Sequence, residues 1–487
     1  MAAAVSEAAT IRGVVLDHYT GRPLARTLVS LGMIQANGVV TVSVRTASNG
    51  QFVFPQLNAG AYLLSAARKN YALLKYGQKF WNSPGVPVVL ADEGAPYIDL
   101  RLHRLGAVTG SVWDENEIGI AEQEVYAYRP SRPPVLLARG RTDDRGVYRI
   151  GSLSPGPYLV RAGPKQLDEE TAALPTFFPN ATAVDDARII DVGLDQQTED
   201  INIRPALGKT LTLSGDVVGQ CEGRISVSLI SDIGQTTVSG PHFTFDELSP
   251  GPFELVADCP GARNSYGAFQ RLQLYRDTDK VSMQLGLVPT IQLSIEDEAG
   301  KSIDPRLVSV MARRKDLAGE GSPQRLRDGM SLLPGRWDLS VGASGNLYPV
   351  SIYGVGVENL ERARADAWSE FLILRGRIGL KVTMASGAAT VHGRVTKALG
   401  DPTVGAPVYL EAFDPTLNKR LVDLRKTLTG PRGEYRFAGL TPGSYRIVSS
   451  FEFDDPDERT MEAVQASTIV LESAKDRAQD LDLYSRP

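Results

Sequence analysis

The chain has 487 residues, 42% of them apolar and 22% charged, and its 52 basic side chains nearly balance 57 acidic ones. With no basic stripe it lacks the electrostatic footprint of a nucleic-acid binder, and no segment approaches the roughly 18 apolar residues of a membrane-spanning helix. Neither nucleic acid nor membrane insertion is expected, and the composition is that of an ordinary globular protein.

In chain order, residues 1–9 read as an Ala-rich tail without the basic head and apolar stretch of a secretory signal. Short alternating runs then predict strands at 10–17, 25–31, 40–46, 51–57, 62–67, 86–90 and 97–102, with turn residues between them. Seven short strands of this kind make a small antiparallel sandwich. Its fifth strand is introduced by a phrase, Leu57-Asn58-Ala59-Gly60-Ala61-Tyr62, that returns four times. The later copies begin at Leu153, Leu248, Leu332 and Leu440, with Gly and then Tyr158, Phe253, Trp337 or Tyr445 at the same offsets. The turn glycines 60, 156, 251, 335 and 443 are spaced by 96, 95, 84 and 108 residues, each the size of one small domain. The expected fold is therefore all-β: five tandem seven-stranded immunoglobulin-like or transthyretin-like sandwiches. They follow the tail at 10–105, 106–207, 208–289, 290–387 and 388–487. Linkers such as Arg104-Leu105-Gly106 leave few residues to bend, which favours an elongated array.

The phrase itself has a structural explanation. A Pro at the first corner and a positive-φ Gly at the second suit a type II turn between adjacent strands, and the ring two residues on points by alternation into the core. Gly50, Gly146 and Gly433 each precede the turn Leu by seven residues; Pro241 and Arg325 stand there in the third and fourth repeats. The strand opening Gly13-Val14-Val15 recurs at Gly110, Gly215 and Gly393 but degrades to Leu293-Ser294-Ile295 in the fourth.

Gly13, Val15, Asp17, Thr20-Gly21 and Pro23-Leu24, followed by Gly50, Phe52, Phe54, Leu57, Gly60, Tyr62 and Tyr71, resemble the carboxypeptidase regulatory-like domain. The likeness is good in repeats one, two and five, partial in three and thin in four. It implies a transthyretin-like sandwich in a secreted or surface-exposed bacterial protein that is not itself a peptidase. Related surface repeats carry a Lys–Asn isopeptide bond promoted by a Glu four residues past the turn ring. Those positions hold Ala66, Ala162, Ala257, Val341 and Ser449, so no such bond is expected.

Cys221 and Cys259 both fall in the third repeat with 37 residues between them. Their co-location points to a disulfide and an oxidising, extracellular or periplasmic setting; two buried free thiols are the plainer alternative. The four histidines, His18, His103, His242 and His392, show no ligand spacing. The phosphate-loop lookalikes at Lys209 and Lys301 lack the required glycine, with Ile203 and Ile295 in its place. No catalytic residue, cofactor or metal is assigned. Asp454, Asp455, Asp457 and Glu458 could offer oxygen ligands to calcium, though a solvated acidic loop is the simpler account of them.

The remaining candidates are rings about twenty residues past the turn aromatic: Tyr76, Phe80 and Trp81, then Phe177 and Phe178, then Tyr266 and Phe269. Exposed in loops they would bind a protein partner or stack on carbohydrate; otherwise they cap a sandwich edge or fill a joint between domains. The expected function is that of a non-enzymatic structural or adhesive rod working through protein contacts or self-association, with a carbohydrate-binding array as the alternative.

Overall fold

A computed structural model describes residues 9–35, 38–91, 94–131, 134–231, 233–261, 265–288, 290–315, 323–333, 335–359, 364–373, 378–397 and 400–486. Most of the tail and Pro334 of the fourth turn phrase lie outside the described residues. The chain packs into two compact units, one of residues 1–105, 343–350 and 384–487, the other of residues 106–342 and 351–383. No helix among the described residues is long and apolar enough to cross a membrane.

The expected all-β architecture is observed. In the first sandwich Ala9–Asp17 lies between Gln51–Leu57, antiparallel, and Tyr97–Leu102, parallel, in a three-stranded sheet. Leu28–Gln35 lies between Gly38–Arg45 and Gly60–Ala67 in the facing five-stranded sheet. Alternation along Ala9–Asp17 buries every second residue, and Ile11, Val15, Leu31, Phe54 and Leu100 fill the space between the sheets. The same three-plus-five arrangement recurs twice, around Gly106–Ser111 and around Leu211–Val218. A fourth pair of sheets holds Ile291–Asp297 and Gly335–Ala343. In the last sandwich, Leu481–Tyr484 pairs in parallel with both Ala389–Thr396 and Gly443–Ser450, which joins the two halves into one nine-stranded sheet.

The turn phrase differs from expectation in one respect. In the first three sandwiches the strands it joins, such as Gln51–Leu57 and Gly60–Ala67, belong to opposite sheets rather than to hydrogen-bonded neighbours. Accordingly the turn glycines have φ of 157, 140, 155, 143 and 149°, well beyond the roughly +80° of a type II second corner. This extended positive-φ region is one that only glycine enters without strain, and it lets the chain cross between layers. The ring that follows is buried in four of five cases: Tyr62 is 3%, Tyr158 4%, Trp337 6% and Tyr445 2% exposed. Phe253 is half-buried, a correction to its assignment as a fully enclosed core ring.

The opening glycines have a separate cause. A Cβ on Gly13 would stand 1.9 Å from the Ile98 carbonyl oxygen of the parallel neighbour, and on Gly393 1.9 Å from that of Gln479. Close approach of the last strand therefore demands glycine there.

A bulge precedes four of the five turns. Pairing slips one residue between the first strand and its antiparallel neighbour in the first, second, third and fifth sandwiches. The residue before the turn Leu is left-handed in all four, with φ of 57° at Gln56, 62° at Ser152, 57° at Glu247 and 66° at Gly439. Holding a side chain in this region costs about 1 kcal/mol that glycine avoids. Replacing Gln56, Ser152 or Glu247 singly by Gly is expected to stabilise its sandwich by about 0.5 to 1 kcal/mol, and Gly439→Ala to destabilise the fifth by a similar amount. Urea unfolding followed by Trp and Tyr fluorescence reads this; a loss of stability at all three glycine substitutions would refute the strain.

Candidate interaction surface

Cys221 and Cys259 are joined, with Cα atoms 5.9 Å apart, and the bond closes the loop across the third sandwich. Cys259 is fully buried in the core, with Cys221 packed against it.

The candidate rings divide sharply. Phe178 is 7% exposed inside the second core, with the Arg188 guanidinium 5.7 Å from its ring centre. Phe177, 1% exposed, packs with Tyr128, Leu159 and Ile233, a residue of the third sandwich, so it fills the joint between the two. Tyr266 and Phe269 are not in a loop: both lie in the strand Tyr266–Leu274, hydrogen-bonded along Gly251–Cys259. Three residues apart, they face opposite sides of the sheet. Tyr266 packs on the core and Phe269 lies under Arg271 at 5.6 Å. The strand was missed because its runs of Gln and Arg hide the alternation. A cleft of about 1200 Å³ lies between the second and third sandwiches, lined by Tyr126, Tyr128, Phe177, Ile233 and Phe253 among others.

In the first sandwich Tyr76 packs against the core, whereas Phe80 is 52% and Trp81 36% exposed. Their loop is held by Ser83, whose buried hydroxyl accepts from the Lys79 and Phe80 amides, both at 3.1 Å, and donates to the Phe80 carbonyl at 2.9 Å. This loop meets the fifth sandwich, almost four hundred residues away in sequence. Lys75 pairs with Asp454 at 3.1 Å, and Lys79 with the buried Glu452. Val86 packs on the fifth core, Gly405 approaches Ile34 and Pro87, and Arg486 lies 5.8 Å over the Phe80 ring. An array in which each sandwich touches only its sequence neighbours would have no such contact.

The same contact explains the acidic loop. Asp454 is claimed by Lys75 and Lys426; Asp457 caps the helix Glu458–Ala463 by accepting the Thr460 amide at 2.8 Å; Glu458 accepts the Arg420 amide at 2.7 Å. Three of the four carboxylates thus have partners of their own, and the helix was hidden in the sequence by its brevity. Burial alone would raise the Asp454 carboxyl, yet the bonds and attraction from Lys426 and Lys75 outweigh it and hold the group below the ordinary carboxylate range.

The first sandwich also carries a polar anchor. The Asp17 carboxylate, 1% exposed, accepts from the Thr20 amide at 2.8 Å, the Tyr71 hydroxyl at 2.7 Å and Arg104 Nε at 2.9 Å. Burial opposes its charge, but these donors together hold it far below the usual range. Residues 10–96, which contain Asp17 and Tyr71, match the family model of the carboxypeptidase regulatory-like domain. The first sandwich is a carboxypeptidase regulatory-like domain. No curated protein matches the chain. Among solved structures, GBS52, the minor pilin of Streptococcus agalactiae, is 12% identical over 41% of this chain and 97% of its own, with a TM-score of 0.26. A streptococcal ancillary pilin is 10% identical over 57% and 100%, TM-score 0.19, and the Bacillus anthracis TIE protein 10% over 95% and 69%, TM-score 0.17.

Two outcomes follow. Because the Asp454 carboxyl titrates lower in the fold than in the unfolded chain, its contribution is complete above about pH 4 and is lost as pH falls through its folded value. Asp454→Asn should cost the contact between first and fifth sandwiches about 1 kcal/mol at pH 7 and less at pH 2, read from hydrogen exchange across 74–90. An equal effect at both pH values would show that charge is not the cause. Phe178→Ala should lower stability by about 3 kcal/mol or more, and Trp81→Ala by under about 1 kcal/mol, in thermal melts.

Proposed function

We propose that the chain is a non-enzymatic extracellular or cell-surface protein that acts through protein–protein contact, a structural or adhesive array of sandwiches at 10–105, 106–207, 208–289, 290–387 and 388–487. The observation that carries this reading is the strand Gly38–Arg45 at the outer end of its sheet. It is exposed along almost its whole length, with Val39 42%, Val40 57% and Val42 52% exposed. A long, Val-rich edge whose one charge is Arg45 at its end, with a row of main-chain donors and acceptors facing outward, is a template for pairing with another chain. The disulfide supports an oxidising compartment, since such bonds persist outside the reducing cytosol.

Carbohydrate binding is kept as a second reading on one observation: Phe80 and Trp81 alone among the seven candidate rings present more than a third of their surface. Loss of glycan-array signal on Trp81→Ala would support it.

Self-association through the Gly38–Arg45 edge is tested by light scattering over a concentration series. The wild-type chain is expected to gain mass with concentration, and Val40→Lys with Val42→Lys to weaken that association by about tenfold or more, because charges on an edge oppose pairing. A wild-type chain that stays monodisperse and monomeric at high concentration sinks the self-association.

A further inference from the structure

The fourth sandwich departs from the others where its first strand should gain a neighbour. In the other four that neighbour is Gln51–Leu57, Val147–Leu153, His242–Leu248 or Glu434–Leu440. Each sends two large side chains, two residues apart, into the core: Phe52 and Phe54, Tyr148 and Ile150, Phe243 and Phe245, Tyr435 and Phe437, all buried. Counted back from the turn Leu, the fourth repeat has Arg327 and Gly329 in those places. Ile291–Asp297 accordingly stands at the end of its sheet beside Ile378–Ser386. Towards its other edge, the described residues supply an isolated bridge from Thr290 to Ser331 but no strand.

That edge is occupied by substitutes. The Ile291 amide donates to the Met330 carbonyl at 2.8 Å, and the Leu293 amide donates at 2.9 Å to the Asp328 carboxylate, which stands where a strand's carbonyl would be. Alternation turns the main-chain groups of Ile291, Leu293 and Ile295 towards the same edge. Beside them opens a cavity of about 790 Å³, lined by Leu293, Ile295, Ile303, Val308, Val310 and Leu326 among others. Leu293 replaces the glycine of the other repeats and takes up part of the space of the lost pair; the cavity is what remains.

We propose that this cavity and edge form a docking groove for an extended segment of a protein partner that carries a large apolar side chain. The segment adds antiparallel to Ile291–Asp297, bonds to the main chain of Leu293 and to the amide of Ile295, whose carbonyl already accepts from the Ile303 amide at 2.9 Å, displaces the Asp328 carboxylate and fills the cavity. The occupant's chemistry is written in the four sister sandwiches, which close the same position with such a segment of their own. Asp328 acts as a plug, since a charged group on an edge keeps it from pairing indiscriminately. This deepens the contact reading above and rests on it only in taking a polypeptide as the partner.

The test uses the full chain and a fluorescent peptide with the sequence of residues 433–440, Gly-Glu-Tyr-Arg-Phe-Ala-Gly-Leu, against a scrambled control. Saturable binding is expected, tightened about threefold or more by Asp328→Ala, which removes the competing acceptor. The combined exchange Arg327→Tyr, Asp328→Arg, Gly329→Phe, Met330→Ala and Ser331→Gly supplies the missing strand from within and should abolish binding. Peptide at saturation should also slow amide exchange at 293–295 in the wild-type chain, a readout that does not depend on how any variant folds. Absent binding, equal binding of the scrambled peptide, or unchanged exchange at 293–295 overturns the proposal. Val40→Lys and Val42→Lys should leave peptide binding intact, so failure of self-association and failure of this groove are distinguishable.

Discussion

In four of the five sandwiches a hydrogen bond ties a buried ring to the turn that precedes it. Tyr62, Tyr158 and Tyr445 donate through their hydroxyls to the carbonyls of Asn58, Ser154 and Thr441 at 2.7, 2.8 and 2.7 Å, and Trp337 Nε1 donates to that of Leu333 at 3.0 Å. The acceptor is always the residue after the turn Leu, four before the ring. Because the turn carries the chain from one sheet to the other, the ring ties both layers at their crossing. Its apolar body fills the core while its polar tip satisfies a carbonyl that a tight crossing would otherwise strand, so the two requirements meet in one side chain. The positive-φ glycine and the left-handed residue before the Leu are the backbone conditions that bring ring and carbonyl together.

The spacing of this phrase was enough to reveal the fold, because Gly, Pro and aromatic residues act within a few positions of where they stand. The short strands, four of the five buried turn rings and the disulfide followed from local chemistry of that kind. What depended on distant contact was not legible. Phe177 and Phe80 look alike in sequence, each in a Pro- and Asn-containing loop, yet one is enclosed against Ile233 and the other stands partly in solvent. Nothing near Asp454 announces Lys75, and a run of four acids reads as a cation site until its partners are placed. The donor role of the turn ring was also missed, although Tyr and Trp in four of five copies, with Phe in one, carried the signal.

His18 and His103 show the limit of spacing arguments from the other side. They are 85 residues apart, yet the parallel pairing that matches Asp17 with Leu102 makes them the next cross-strand pair, with ring centres 3.9 Å apart. Sequence separation says little where the first and last strands of a domain lie side by side. Register, once known, converts such distant residues into neighbours.

The unequal decay of the repeats is the more telling part of the structure. Where the phrase is complete and its partner strand carries two large residues, the sandwich closes on itself. In the third repeat the ring is Phe253, which has no polar hydrogen to tie it to the turn, and it is half-buried and lines the cleft beside the second sandwich. In the fourth the ring and its bond persist, but the strand before the turn has gone, and the core opens to a cavity. The trace of that loss in the sequence is Arg327 and Gly329, standing where the other repeats place two large residues. Each departure from the repeat leaves apolar surface that the sandwich does not cover for itself. Those uncovered places are where a partner can gain the most by binding.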